Sequence, residues 1–281
     1  MTPDTPIRAA VFDIDGTLAM MDKASGTFTA LPGAVAALAA CRAAGMAVAA
    51  YTNGTFFPPE HYYPRLAAAG LDFEPGHILT PASVAAHHLT RMGMKRVMVF
   101  GDEGTAVPLR DAGIEVLAPE PADGPVDAVL CGWTRHVDVP KIEAVCNAVW
   151  DGAKPFTTSS APFFAGANGR LLGISGALAA MIHNVTGQEV GLFGKPSPLG
   201  LEMIVALTGV SVDAIMVIGD DPELELRMAR EAGAFAIGVT TGLHDRAAFN
   251  AIEPAARAHV VLEGLIGFAD QPWFETREGA T

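Results

Sequence analysis

The sequence predicts an α/β fold: a parallel sheet, with a second α/β unit inserted into it. Three observations carry this. Short apolar runs alternate with Ala-rich helical stretches along the chain, the pattern of a parallel sheet. Several of those runs end directly in Asp- or Gly-containing clusters, where ligands bind in open α/β sheets. Residues 82–176 have a strand–helix rhythm of their own, enough for a compact domain. The expected division is therefore a discontinuous main unit over 1–81 and 177–281 and an insertion over 82–176.

Taken in order, the apolar run Ile7 to Phe12 is a buried strand that breaks at Gly16. Residues 17–31 read as a loop or hairpin, and 34–44 as a helix closed by Gly45. Ala47 to Tyr51 is a small-residue strand. A new unit begins near Thr80-Pro81, with strands at Arg96 to Phe100, Ile114 to Leu117, Ala128 to Cys131 and Pro155 to Thr158. Helices fall between them near 82–92, 104–112 and 139–150. Gly173 to Gly176 is expected to lead back to the main unit, followed by a helix over 177–186, a strand from Val190 to Phe193 and a helix start at Ser197-Pro198. Ile215 to Gly219 is another buried strand, with a helical stretch from Pro222 to about Ala232. Val239-Thr240-Thr241-Gly242 ends a late strand, and the tail after about Asp270 is expected to be loosely ordered.

The chemistry sits at the strand ends. Asp13-Ile14-Asp15-Gly16-Thr17 places two carboxylates one residue apart, which on a strand would share a face. Like charges this close raise one another's pKa. A chain tolerates that where a cation bridges them or where one must carry a proton. Asp220, first after its strand, adds a third carboxylate, and three together make a hard oxygen site suited to Mg²⁺. Asp221 precedes Pro222 and a helix, so an N-cap is its alternative reading. Thr52 offers a hydroxyl, Asn53 and Gly54 a turn with exposed backbone N–H groups. Lys195, in Gly194-Lys195-Pro196, offers a point charge just before a helix N-terminus, a place that favours anions.

Those four segments, in that order, resemble the motifs of the haloacid dehalogenase superfamily of phosphohydrolases: Asp13-Ile14-Asp15-Gly16-Thr17, Thr52-Asn53-Gly54, Gly194-Lys195-Pro196 and Gly219-Asp220-Asp221. The long stretch between the second and third motifs is similar to the NagD-like subfamily, which carries an α/β cap there on a Rossmann-like core. The resemblance implies that Asp13 is a nucleophile forming an aspartyl-phosphate. It makes Asp15 the acid that protonates the leaving oxygen and then the base that activates water. It implies Mg²⁺ held by Asp13, the Asp15 backbone carbonyl and Asp220. Thr52, Asn53, Gly54 and Lys195 would bind the phosphoryl group. Dehalogenases of the superfamily lack the second acid, so Asp15 favours phosphoryl chemistry. The chain departs from the family at Glu225, where Asp is frequent and where the side chain would orient Lys195 or a metal-bound water. It also departs at Thr158-Ser159-Ser160-Ala161 and Gly132-Trp133-Thr134, where relatives often carry an acid.

Other features have plainer readings. Gly101-Asp102-Glu103-Gly104 mimics the fourth motif but reads as a loop and helix start. His87 and His88 are adjacent on a helix and do not share a face. Trp133, Arg135 and His136 follow a strand of the insertion and are candidate substrate contacts, with a solvated Arg as the alternative. Phe163 and Phe164 read equally as core of the insertion or as pocket wall.

The chain has 281 residues, half of them hydrophobic, and a net charge of −13, which argues against a nucleic-acid surface. Its three cysteines, Cys41, Cys131 and Cys146, are widely spaced and read as buried reduced thiols of a cytoplasmic protein. Neither a signal peptide nor a run of about 18 apolar residues is present, so no membrane partner is expected. The expectation is a cytoplasmic, Mg²⁺-dependent phosphatase of small-molecule phosphate monoesters. Phosphomutase and non-catalytic phosphate sensor are the alternatives, and a homodimer is left open.

Overall fold

A computed structural model describes residues 3–22, 25–166 and 169–274. In chain order, the strands and α-helices up to residue 91 are β1 (Ala9–Phe12), β2 (Ala19–Asp22), β3 (Thr27–Ala30), α1 (Ala34–Ala43), β4 (Ala47–Tyr51), α2 (Tyr62–Ala68), β5 (Ile78–Leu79) and α3 (Pro81–Arg91). Then come β6 (Arg96–Phe100), α4 (Glu103–Asp111), β7 (Glu115–Leu117), β8 (Ala128–Cys131), α5 (Val139–Trp150), β9 (Lys154–Thr157), β10 (Phe163–Gly166) and β11 (Gly169–Leu172). The rest are α6 (Ile174–Thr186), β12 (Gly191–Leu192), α7 (Leu199–Thr208), β13 (Ile215–Gly219), α8 (Arg227–Ala232), β14 (Phe235–Val239), α9 (Arg246–Ala251) and β15 (Val260–Leu262).

The chain divides into two compact units. The first comprises Met1–Thr52, Tyr62–Leu79 and Leu201–Thr281. Its sheet has the order β15-β14-β13-β1-β4-β5, and every pairing is parallel. All residues of β1, β13 and β14 are buried, which is why these runs are apolar without alternation. Around them Phe12, Ile14, Leu38, Leu66, Ile218, Ile237 and Phe268 form one core. β1 lies between β13, far downstream, and β4, just after it. Strand order reverses here, and this switch point is where a doubly wound sheet opens a crevice. Residues 17–31 do form a hairpin, β2 against β3.

The second unit comprises Asn53–His61 and Thr80–Gly200, around a parallel sheet of order β12-β9-β8-β6-β7. Its helices begin as their sequences prescribe. Thr80 and Ser83 exchange side-chain and backbone bonds around the start of α3, with Pro81 in its first turn. Asp138 accepts from the Lys141 N–H at the start of α5. β10 and β11 form a separate antiparallel hairpin that the sequence reading did not foresee.

Two expectations change. The second unit does not stop at residue 176. α6 contributes Leu178 and Ile182 to a core shared with Val129, Val145 and Val149, and β12 pairs with β9. A one-sided apolar helix reports that a face is buried but not against which sheet, so α6 was assigned to the wrong unit. The tail is also ordered further than expected. Trp273 is buried in the first unit's core against Phe235 and Phe268. Residues 275–281 of that tail lie outside the described residues. No described helix is long and apolar enough to cross a membrane.

Candidate active site

The switch point gathers the acids of the first and fourth motifs. The Asp13 N–H donates to the Ile218 carbonyl at 2.8 Å, extending the β1–β13 ladder by one bond. The chain then leaves the strand. The Ile14 carbonyl accepts the N–H groups of Thr17, Leu18 and Ala19 at 3.3, 3.0 and 2.9 Å, and Gly16 turns with φ +85°. This turn corrects the expectation that Asp13 and Asp15 share a strand face. Asp13 is buried, whereas Asp15 stands exposed on the turn. The two acids therefore differ in environment, which is how two like groups take different protonation roles.

Asp220 follows β13 and is 8% exposed. A Cβ on Gly16 would lie 2.7 Å from Asp220 Oδ2. The glycine of the first motif is thus required twice, by its left-handed backbone and by the nearness of this carboxylate. Asp13, Asp220 and the main-chain carbonyl of Asp15 offer oxygen donors only, two of them from buried carboxylates. That donor set suits Mg²⁺ rather than a softer metal. Among the described residues no group of three or more His, Cys, Asp or Glu side chains is arranged to hold a metal.

Thr52 follows β4 on the other side of β1, buried, with its N–H bonded to the Leu79 carbonyl at 3.1 Å. Asp220, Asp13 and Thr52 therefore follow three neighbouring parallel strands at their carboxyl ends. Tyr62, at the start of α2, is a residue the sequence reading missed. Burial raises its hydroxyl pKa, and the charges of Asp15 and Asp13 raise it further, so a protonated phenol stands near both acids. No local signal marks it; only the fold places α2 there.

The second unit holds the third motif. The Asn53 side chain makes a two-point clamp on Lys195: Nδ2 donates to its carbonyl at 3.1 Å and Oδ1 accepts its N–H at 2.9 Å. A Cβ on Gly194 would meet the Thr158 carbonyl at 2.1 Å, so the Gly-Lys pair needs that glycine for close approach. Lys195 is 2% exposed, unlike an ordinary loop lysine. The strand before it is short, and it lies at the edge of the second unit's sheet rather than in the main sheet.

The remaining candidates separate. Asp221 is an N-cap, accepting from Glu223 and Leu224 N–H at 2.8 and 3.2 Å. Pro222–Leu226 is a wide π-type turn. Within it, buried Glu225 folds back so that Oε2 accepts the Asp221 N–H at 3.2 Å. Gly219 leaves room for that side chain, since a Cβ there would lie 2.7 Å from Glu225 Cβ. In the second unit, the Trp133 ring packs 4.3 Å from Phe56, and Arg135 lies 5.5 Å over Trp133. Phe164 meets Phe56 edge-on. His136 is exposed, with its N–H bonded to Thr134 Oγ1. Phe56, four residues after Thr52, was not singled out in the sequence. Asp102 stands at the N-cap of α4, as its loop reading required, and His88 Nε2 lies 2.9 Å from the Leu199 carbonyl.

A parallel sheet with buried acids at its switch point and a second α/β unit within the chain define the architecture, and comparison with known proteins gives the family. The profile of haloacid dehalogenase-like hydrolases matches residues 10–115, and a HAD-hydrolase-like profile matches 192–267. A dihydroxyacetone phosphatase of Corynebacterium glutamicum is 28% identical over 197 residues, 70% of this chain and 70% of that protein. Among solved structures, a glycerol phosphate phosphatase of Mycobacterium tuberculosis in complex with magnesium superposes with a TM-score of 0.80 at 22% identity, over 93% of this chain and 76% of that one. NagD from E. coli K-12 gives a TM-score of 0.80 at 23% identity, over 93% and 98%. The two profiles together match more than half of the chain, which is a haloacid dehalogenase-like phosphoric monoester hydrolase, and its fold is that of NagD.

Proposed function

We propose that the enzyme hydrolyses phosphate monoesters of small metabolites, with Mg²⁺, through an aspartyl-phosphate on Asp13. The observation that carries this reading is the pairing of a buried Asp13 with an exposed Asp15 on one turn, beside Asp220. An Asp13 carboxylate oxygen attacks phosphorus and the bond to the ester oxygen breaks. Asp15 gives its proton to that oxygen, so the alcohol leaves neutral. Asp15, now a carboxylate, takes a proton from water. The resulting hydroxide attacks phosphorus, phosphate departs and Asp13 is regenerated. Thr52 would bind a phosphoryl oxygen in the transition state, and the family motifs assign the same role to Lys195 and to the Asn53–Gly54 turn.

Asp13, the Asp15 carbonyl and Asp220 would hold Mg²⁺, which when bound lessens repulsion between carboxylate and phosphate. The magnesium-bound phosphatase of similar fold supports the choice of metal. Relatives named dihydroxyacetone phosphatase and acid sugar phosphatase support small, polar, phosphorylated metabolites as substrates. Buried free thiols at Cys41, Cys131 and Cys146 suit a reducing cytoplasm. The second unit, with Trp133, Arg135 and His136, is assigned substrate choice.

The test is a panel of phosphorylated metabolites assayed with and without EDTA, with single-turnover trapping of acid-stable phosphoprotein. Turnover that depends on Mg²⁺ and a label lost in Asp13→Asn are expected. Undiminished hydrolysis by chelator-treated enzyme would overturn the metal, and a label that persists in Asp13→Asn would overturn the nucleophile.

A further inference from the structure

We infer that the loop after β14, Thr241 to Leu243, is a clamp that fixes the Asp220 carboxylate against the Asp13–Gly16 turn, with Thr241 and Gly242 as positioning residues for the metal. The inference rests on the reading of Asp13, the Asp15 carbonyl and Asp220 as the Mg²⁺ ligands.

Three contacts within the first unit carry it. The Leu243 N–H donates to Asp220 Oδ2 at 3.2 Å, so a main-chain donor holds one carboxylate oxygen. The Thr241 hydroxyl donates to the Gly16 carbonyl at 2.6 Å, one peptide beyond Asp15. Gly242 lies between these bonds with no space for a side chain. A Cβ there would stand 1.7 Å from Asp220 Oδ2 and 2.4 Å from its Cγ. From the other side, a Cβ on Gly16 would reach 3.0 Å from the Gly242 Cα. The loop is in turn fixed to the sheet, because the Thr240 N–H donates to the Leu262 carbonyl at 3.1 Å on β15.

The physical consequence is orientation. A carboxylate that accepts a fixed N–H on Oδ2 cannot rotate freely, so its remaining lone pairs keep one direction. Thr241 ties the same loop to the turn that carries the other proposed donors. The two ligand-bearing segments, over 200 residues apart in sequence, are thereby held at one separation. The Leu243 side chain is 77% exposed, so the main chain of this loop, not an apolar anchor at its tip, makes the contact. Groups that orient metal ligands typically matter by about 10–100-fold in metal affinity.

The experiment measures Mg²⁺ binding to the purified chain by titration calorimetry, alongside the Mg²⁺-induced rise in Tm and the Mg²⁺ dependence of kcat. Thr241→Val should weaken Mg²⁺ binding about 10-fold or more, with the metal-free Tm changed by only a few degrees, and Thr241→Ser should restore the affinity. Gly242→Ala, with a methyl group directed at Asp220, should weaken it further. If Gly242→Ala does not fold, the Thr241 pair decides alone. Asp220→Asn separates the two readings. If it loses Mg²⁺ while Thr241→Val stays within twofold of the parent protein, the clamp is wrong and the metal site stands. If Asp220→Asn binds Mg²⁺ as the parent does, the metal site is wrong and the clamp falls with it.

Discussion

Two strand ends in this chain read almost alike and stand in different surroundings. β13 ends in Gly219-Asp220-Asp221, and β6 in the second unit ends in Gly101-Asp102-Glu103. Each is a buried parallel strand followed by acids and a helical turn. At β13 the neighbouring strand is β1, which ends in Asp13, and Gly16 and Gly242 crowd the Asp220 carboxylate. At β6 the neighbour β8 ends in Cys131 and Gly132, and Gly101 and Gly132 crowd Thr105 instead. Asp102 occupies the N-cap position of α4 without a side-chain cap bond, its N–H bonded to the Trp133 carbonyl. A Gly-Asp pair at a strand end is a common structural solution. At β13 the strand beside it also leads into an acid and the glycines face the carboxylate, and the proposed metal site rests on those surroundings.

Asp13→Asn should show the largest effect, with kcat reduced about 10³-fold or more in a protein that keeps its fold, since an amide is a poor nucleophile. Residual activity above a tenth, measured with circular dichroism as a control, would falsify the nucleophile. Asp15→Asn should cost about 10²–10³-fold on an alkyl phosphate and far less on 4-nitrophenyl phosphate, whose phenolate leaves unprotonated. Equal losses on the two esters would remove Asp15 as the acid. Exchanging the look-alike acids tests the contrast directly. Asp220→Asn should lose measurable Mg²⁺ binding, whereas Asp102→Asn should leave Mg²⁺ affinity within twofold and stability within about 0.5 kcal/mol. A metal defect in Asp102→Asn would show that the second strand end has chemistry of its own.

A smaller effect is expected at the aromatic group beside β8. Trp133→Ala or Arg135→Ala should shift relative kcat/KM among phosphate esters by about 10-fold, with the Mg²⁺ requirement unchanged. Unchanged selectivity across a broad ester panel would return those residues to a packing role around Phe56.

How much of this was legible in the sequence follows from how local each cause is. Strands buried on both faces are continuous apolar runs, so β1, β6, β8 and β13 could be read within a residue or two of their bounds. The helices starting near 82 and 139 and the cap reading of Asp221 were legible because a helix start is written in two or three neighbouring residues. The acids Asp13 and Asp220 could be placed at strand ends for the same reason. The exposure of Asp15 could not, because the Ile14 carbonyl gathers three N–H groups and turns the chain where a period of two was assumed. The ownership of α6 and β12 was not legible either, since an apolar face does not name its partner.

The kind of chemistry is written locally in the chain: which acids, hydroxyl and lysine are present, in which order, each at the end of an apolar run. Those are properties of neighbouring residues and of the strand period. Only the tertiary structure decided that Thr241, read as the last turn of a late strand, reaches the Gly16 carbonyl, and that Gly242 must lack a side chain because Asp220 lies against it. It also decided that Tyr62 stands near Asp13 and Asp15. The physical reason is the same in each case. A contact across a sheet's switch point joins segments that share no local pattern, so nothing in either segment announces the other.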